Sequence, residues 1–327
     1  MNTPLSPEYD VVVVGGGAAG LSAALVLSRA RRRVAVVDAG KPRNGPAAHM
    51  HGYLGSDGVP PSTLLTVGRD EIARYGAHLV RGTAAEIAPL DAGQRGFDVT
   101  VDDSFNDGQT IRARRVLVTT GLRDELPDIA GARERWGRDL LHCPYCHGYE
   151  VRDRALGVLG GTPGAIDHAH LLRQWSDDVV FFAEGDPLAA TDRDALEARG
   201  VDVVEDLVVR LVTAGDRLSG VELESGRVVP LDAVFFRPVM RSNSALLDRL
   251  GCKADENGWV VADGVGRTSV DGVWVAGNAA NPRAQVITAA GEGSAAAIAM
   301  NADLVDEDVA IAVQKTSTTN VEGTHHV

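Results

Sequence analysis

The chain has 327 residues, of which 44% are hydrophobic and 24% charged; this is enough for about two domains of ~100–200 residues each, and it excludes an intrinsically disordered protein. Its 32 basic and 45 acidic side chains leave a net charge of −13, so an electrostatic footprint for nucleic acid or an anionic membrane is missing over the chain as a whole. Three cysteines are too few for a disulfide-stapled scaffold, and in a reducing compartment they favour catalytic or metal chemistry.

Glu8 and Asp10 precede the first apolar run, and Gly15-Gly16-Gly17 breaks it, so the N-terminus reads as neither a signal peptide nor a spanning helix. A cytoplasmic protein with no membrane partner is expected. Residues 9–14 are a short β-branched strand. A glycine turn and an Ala/Leu-rich helix to Arg33 follow, and a second strand at 34–37 ends in Asp38. Gly15-x-Gly17-x-x-Gly20 thus sits after a strand and opens a helix, the context a dinucleotide fingerprint requires. The first glycine allows the tight turn, the second admits a pyrophosphate, and the third lets helix and strand pack closely. Asp38, 18 residues after Gly20, stands near the ~20-residue offset of an acid that binds ribose.

Alternating residues at 97–101 and 114–120 predict hairpin strands returning to the sheet, and 121–130 reads as a linker. A second βαβ pattern begins at 155–161, continues as a helix near 164–176 and emerges at 179–183. Its fingerprint is eroded: Thr162 stands where the middle glycine belongs, Pro163 removes an N–H, and no arginine pair follows the strand at Ala183-Glu184-Gly185-Asp186. NADP(H) binding is therefore poorly supported. A buried strand at 272–278, an Ala/Gly-rich helix at 289–302 and a polar tail after about 314 complete the chain.

His142-Cys143-Pro144-Tyr145-Cys146-His147-Gly148 admits several readings. Cys143-x-x-Cys146-His147 matches a c-type haem string, but that chemistry needs export. A zinc site would need four ligands from six consecutive residues, so no metal is expected. A redox dithiol fits best, with the flanking histidines or a helix start at Pro144 lowering a thiol pKa. Two buried free thiols are the bland alternative. His147 is a candidate general base, because an imidazole with a pKa near 6.5 suits that work at neutral pH. His142 could act as a second base or orient the loop, the latter being favoured; His49 and His51 could reach the flavin or substrate, though such loop histidines are more often surface or packing residues; His168 and His170 read as solvated, and Cys252 as a passive thiol.

The order of Val-Val-Gly-Gly-Gly-Ala-Ala-Gly-Leu-Ser-Ala-Ala at 13–24, Val-Thr-Thr-Gly at 118–121, the central CxxC before a second nucleotide fold, and Thr268–Asn278 through Gln285–Gly293 resembles the low-molecular-weight thioredoxin reductase family of flavoproteins over about 10–305. The resemblance implies an α/β fold of two Rossmann-like, three-layer ββα nucleotide-binding domains, the second inserted into the first. Their expected limits are 1–121 and 241–313 for the FAD domain, 122–240 for the NAD(P)-like domain carrying the CxxC, and 314–327 for a flexible tail. It also implies a homodimer and bound FAD. By position, Gly15, Gly17, Gly20 and Asp38 would hold the ADP half, and Gly277, Asn278 and Gln285 would lie near the ribityl and ring end. Cys146 would face the flavin, and Cys143 would meet the substrate.

Three departures stand out: His147 replaces the acid after the second cysteine, Asn278 replaces the acid closing Ala-Gly-Asp, and the NADPH motifs are absent. With the segment 43–55 they resemble the subgroup that oxidises small dithiols to disulfides, as in maturation of holomycin- and gliotoxin-type natural products. Such an oxidase, with oxygen as acceptor, needs no nicotinamide site. Two alternatives stay open: a reductase of thioredoxin-like proteins fed by NADPH or another donor, and a non-catalytic flavin redox-sensing module.

Overall fold

A computed structural model describes residues 9–90, 95–103, 106–185 and 187–322. They form two compact units: one holds the residues up to Pro42, Ser62–Leu122 and those from Ser242 onward, the other Arg43–Pro61 and Arg123–Arg241. The first opens on β1 (Tyr9–Val14), α1 (Ala18–Arg29) and β2 (Val34–Asp38). α2 (Pro61–Arg74), β3 (His78–Arg81) and a meander of β4 (Thr83–Pro89), β5 (Phe97–Asp103) and β6 (Asn106–Val118) follow. β1 is buried along its whole length, as its unbroken valine run requires of a central parallel strand, and it pairs in parallel with β2 and with the end of β6. The start of β6 pairs antiparallel with β5.

β7 (Leu122–Glu125), in the stretch expected as a linker, leads to α3 (Ala132–Arg135), β8 (Leu140–Leu141) and α4 (Pro144–His147). The second βαβ unit is β9 (Leu156–Leu159), α5 (Ala165–Leu172) and β10 (Val179–Phe182), followed by α6 (Ala190–Ala198) and β11 (Val201–Val204). An antiparallel sheet of β12 (Val208–Ala214), β13 (Arg217–Leu223) and β14 (Val228–Val229) precedes β15 (Ala233–Phe235) and β16 (Val239–Ser242), which pairs with β7. The parallel order β11-β10-β9-β15-β8 reverses direction between β9 and β15. In open α/β sheets ligands bind at the carboxyl ends beside such a reversal.

The first unit then closes with α7 (Ala245–Arg249), β17 (Val273–Val275), a 3-10 turn at Gly277–Ala279 and the 37-residue α8 (Val286–Glu322). β17 pairs in parallel with β6 and extends the first sheet. Helix α8 starts before the expected 289 and runs past 313. Thr316 and Ser317 in the polar stretch donate their hydroxyls to the carbonyls four residues back, which is compatible with helical backbone. Residues 323–327 of the expected tail lie outside the described residues.

Each unit is a three-layer ββα sandwich. In the first, Val11 and Val13 face α1, α2 and α8, while Val12 and Val14 face the meander through Ile87, Phe97 and Val99. In the second, Leu156 and Val158 pack on α5 and α6, while Leu159 and Phe182 pack on Val208, Leu211 and Val221. The second unit is inserted between parts of the first, the architecture the sequence resemblance implies.

Candidate functional site

The turn from β1 into α1 is built for close approach. Gly15 has φ +112°, and a Cβ there would lie 2.4 Å from the Thr119 carbonyl oxygen; at Gly20 it would lie 1.9 Å from the Gly15 carbonyl oxygen. The Thr119 hydroxyl donates to that same Gly15 carbonyl at 2.8 Å. Gly17 differs, because a Cβ there would meet no atom within 4 Å. Gly17 caps α1 without a side-chain hydrogen bond, so no side chain of the cap residue occupies the helix start, as an anion-binding helix start requires. The Asp38 carboxylate accepts the Gly16 N–H at 3.2 Å and pairs with Arg69 at 3.1 Å, which fixes it beside the turn.

The chain's far end meets this turn. Gly277, at φ +68°, would place a Cβ 3.0 Å from that of Ala19, and its N–H donates to Glu292 at 2.8 Å. Glu292 also accepts from the Asn281 side chain at 2.6 Å. Asn278 donates its amide hydrogens to the carbonyls of Asn281 and Ala284, leaving its own side-chain oxygen as an acceptor. Gln285 is exposed just before α8, and its carbonyl accepts the Ala289 N–H. The structure thus brings Gly15, Gly17, Gly20 and Asp38 together with Gly277, which carries Asn278.

Cys143 and Cys146 are joined in a disulfide, with Cα atoms 5.2 Å apart. Pro144 opens the single turn α4, and the N–H groups of Cys146 and His147 both donate to the Cys143 carbonyl. A Cβ at Gly148 would lie 2.6 Å from the Pro144 carbonyl oxygen and 2.8 Å from Cδ2 of Trp175, so glycine lets this turn seat on the indole. Burial lowers the pKa of His147, against the pull of Glu150, so its imidazole is neutral at neutral pH. Glu150 lies 3.5 Å from Nε2 of His51, whose Nδ1 lies 3.4 Å from Asp57. His51 therefore lies between two carboxylates, of Glu150 and Asp57, rather than standing as an isolated surface group. Burial, with Arg43 next, lowers the His142 pKa as well.

Residues 9–293 match the pyridine nucleotide-disulphide oxidoreductase family. The chain belongs to that family. It is 53% identical to the crystal structure of HlmI, which superposes with a TM-score of 0.92 over 98% of this chain and 99% of that one. An oxidoreductase from Agrobacterium tumefaciens is 37% identical, with a TM-score of 0.83 over 91% and 99% of the two chains. Thioredoxin reductase sirT from Leptosphaeria maculans is 31% identical over 92% of this chain and 96% of its own. The protein is thus a thioredoxin reductase-like oxidoreductase carrying a CxxC disulfide.

Thioredoxin reductase-like members of the family bind FAD, and the α1 turn fits the pyrophosphate of such a group. Gly17 leaves the cradle that a Cβ would fill, and the uncapped N–H groups supply donors. The second opening of this family member is built differently. The Thr162 hydroxyl is buried without a hydrogen-bond partner, and the Arg237 guanidinium donates to the Gly164 carbonyl at 3.1 Å. A Cβ at Gly164 would lie 2.2 Å from that guanidinium, so the arginine covers the start of α5. Glu184, at the end of β10, accepts the Val208 N–H, and burial raises its carboxyl to about 7.

His168 corrects the sequence expectation of a solvated helix face. It is 5% exposed, set edge-on to Phe235 at 5.9 Å, and burial pushes its pKa to about 3. Ala165, His168, Ala169 and Leu172 form one buried stripe, a spacing readable in the sequence. His170 is half-buried. Cys252 is a buried free thiol whose pKa burial raises, an unreactive setting. Glu292 and Gly293 lie in the motif Gln285–Gly293 but were assigned no role from the sequence; a Cβ at Gly293 would lie 2.0 Å from the Ala19 carbonyl oxygen. No helix among the described residues is long and apolar enough to cross a membrane, and no group of three or more His, Cys, Asp or Glu there is placed to hold a metal.

Proposed function

We propose that this protein is an FAD-dependent oxidase of small-molecule dithiols. The observation that carries the reading is the contrast between its two nucleotide turns: the first is open at Gly17, the second is covered by Arg237 and lined by Thr162. The similarity to HlmI supports it.

In this reading Gly15, Gly17, Gly20 and Asp38 hold the ADP half of FAD, and Gly277, Asn278 and Gln285 serve its ribityl and ring end. A substrate thiolate attacks Sγ of Cys143, breaking the Cys143–Cys146 bond and releasing Cys146 as the thiolate. The second substrate thiol attacks the substrate sulfur of the mixed disulfide, closing the product and releasing Cys143. His147 accepts a proton from a substrate thiol; the other proton leaves to solvent. Bound FAD supplies the two-electron relay from the reduced cysteine pair to dioxygen, which leaves as hydrogen peroxide. The enzyme works as a cytoplasmic homodimer.

Anaerobic mixing of the yellow protein with excess dithiol, NADPH or NADH tests the proposal. The dithiol alone is expected to bleach the flavin, with colour and peroxide returning on air; rapid bleaching by NADPH would overturn it. Cys143→Ser and Cys146→Ser should each abolish dithiol turnover while FAD stays bound, as absorbance and turnover assays would read. Full activity in both variants would sink the cysteine mechanism. The names of relatives such as thioredoxin reductase sirT favour the second reading, a thioredoxin-disulfide reductase. That reading requires rapid NADPH bleaching.

A further inference from the structure

Glu150 is the first acid after the CxxC turn, and its backbone N–H donates to the His147 carbonyl at 3.2 Å, so it continues the turn that carries His147. Its carboxylate lies 3.5 Å from Nε2 of His51. Nδ1 of His51 stands 3.4 Å from both carboxylate oxygens of Asp57. An imidazole flanked in this way can donate to both acids only when it carries both protons.

The loop that presents His51 is pinned at its base. Met50 is buried, its N–H donates to the Val59 carbonyl at 3.0 Å, and its own carbonyl accepts the Gly58 N–H at 2.8 Å. Asp57 accepts the Gly52 N–H at 2.8 Å, and that bond, with the His51 contact next, holds its carboxyl below the usual carboxylate range. Asp57 is therefore ionised at neutral pH. The His51 side chain is 21% exposed, against 42% for Glu150 and 66% for Asp57, so the ring is the sheltered member of the three. Water and salt screen a sheltered group less than they screen a surface pair.

His147 feels two of these groups in opposite senses. Burial does most to lower its pKa, the Glu150 charge raises it, and the His51 charge lowers it again. A general base works best with a pKa near the operating pH. Burial alone makes the imidazole a poor acceptor, whereas an unopposed carboxylate favours the form that already holds its proton.

We propose that Glu150 and His51 are positioning residues that act through His147. Glu150 supplies the counter-charge for the imidazolium that forms when His147 takes the substrate thiol proton. His51, held between Glu150 and Asp57, opposes that charge and keeps the resting imidazole neutral. The inference rests on the dithiol-oxidase reading only for the role of His147 as proton acceptor.

The test uses the FAD-loaded protein and NMR of ring-labelled histidines, with the His147 signal assigned by its loss in His147→Asn. A pH titration should place the His147 pKa about 0.5 pH unit or more lower in Glu150→Gln and higher by a similar amount in His51→Gln. Glu150→Asp, which keeps the charge, should restore most of the first shift. Leu54→Gln, at the exposed tip of the same loop, should leave the His147 pKa in place. Thiol titration checks that Cys143–Cys146 still forms in each variant. An unchanged His147 pKa in Glu150→Gln, or shifts of the same sign in the two glutamine variants, would overturn the proposal.

A rate measurement separates this proposal from the reading it rests on. The pH profile for anaerobic reduction of the enzyme disulfide by dithiothreitol should shift with the His147 pKa in both glutamine variants. A profile that stays fixed while the NMR titration moves would remove His147 as the proton acceptor, and the proposal with it. Failure of the unaltered protein to oxidise dithiols in air overturns the oxidase reading instead, and the NMR titration and the reduction profile still decide the roles of Glu150 and His51.

Discussion

At the scale of single residues, half-buried His147 and buried His168 are held neutral for different ends. His147 sits in the last position of the CxxC turn, where neutrality makes it a proton acceptor. His147→Asn should slow reduction of the enzyme disulfide by a dithiol roughly 10²-fold. Anaerobic stopped-flow absorbance measures this, and thiol titration checks that the disulfide still forms; an unchanged rate would remove the imidazole from the mechanism. His168 is neutral because of where it is packed. Its folded pKa of about 3 lies below the ordinary 6.5, so between those values the unfolded chain holds a proton that the folded one does not. Stability is therefore lost as pH falls below 6.5, by about 1.4 kcal/mol for each pH unit. His168→Leu removes both the penalty and two buried ring nitrogens without hydrogen-bond partners. Its urea midpoint relative to the unaltered protein should rise between pH 7.5 and pH 5. Parallel losses in the two proteins would show that His168 does not drive acid sensitivity.

At the scale of elements, the contact between α1 and α8 concentrates the constraints. Gly293 lets the helices approach until its missing Cβ would stand 2.0 Å from the Ala19 carbonyl oxygen, in the first turn of α1. Gly293→Ala should cost about 1–3 kcal/mol through overpacking and should release FAD more readily, because the displaced turn is the proposed phosphate cradle. Thermal unfolding and flavin retention on desalting report the two effects. The same pair of elements shows what local sequence reveals. The strand, turn and helix around Gly15–Gly20 were legible because fingerprint glycines stand in fixed order between a β-branched run and an Ala/Leu-rich one. Gly293 was not, because it lies in an Ala/Gly-rich helix whose pattern does not mark which glycine a neighbour presses. His168 was legible in principle, since its spacing to Ala165 and Leu172 marks the buried stripe. Glu292 gave no local sign, because its partners Gly277 and Asn281 come from a preceding turn.

At the scale of the whole molecule, the chain passes between its two units four times, and the loop 43–61 belongs with the second although the first flanks it. Arg43 explains its hold: two hydrogen bonds of 2.8 and 2.7 Å reach Asp124, whose side chain is 5% exposed. Arg43→Met would strand that carboxylate in the interior. It should cost about 3–5 kcal/mol, read from urea unfolding, and the double variant with Asp124→Leu should recover much of the loss. A loss below 1 kcal/mol would mean that Asp124 finds water. No local pattern predicts such a pairing, because 81 residues separate the partners.

The last segments of the first unit bear on how the protein is made. Arg32, Arg114 and Arg115 clasp Asp303, Glu307 and Asp308 of α8, while β17 supplies the outer neighbour of β6. Until those residues leave the ribosome, the nascent chain has an N-terminal sheet without one strand and a helix layer without its longest member. The second unit has emerged in full by Arg241, on the order of ten seconds earlier at ~5–20 residues per second. During that interval the proposed flavin cradle exists only as an unfinished half, open to a chaperone, and it is completed only once α8 has emerged.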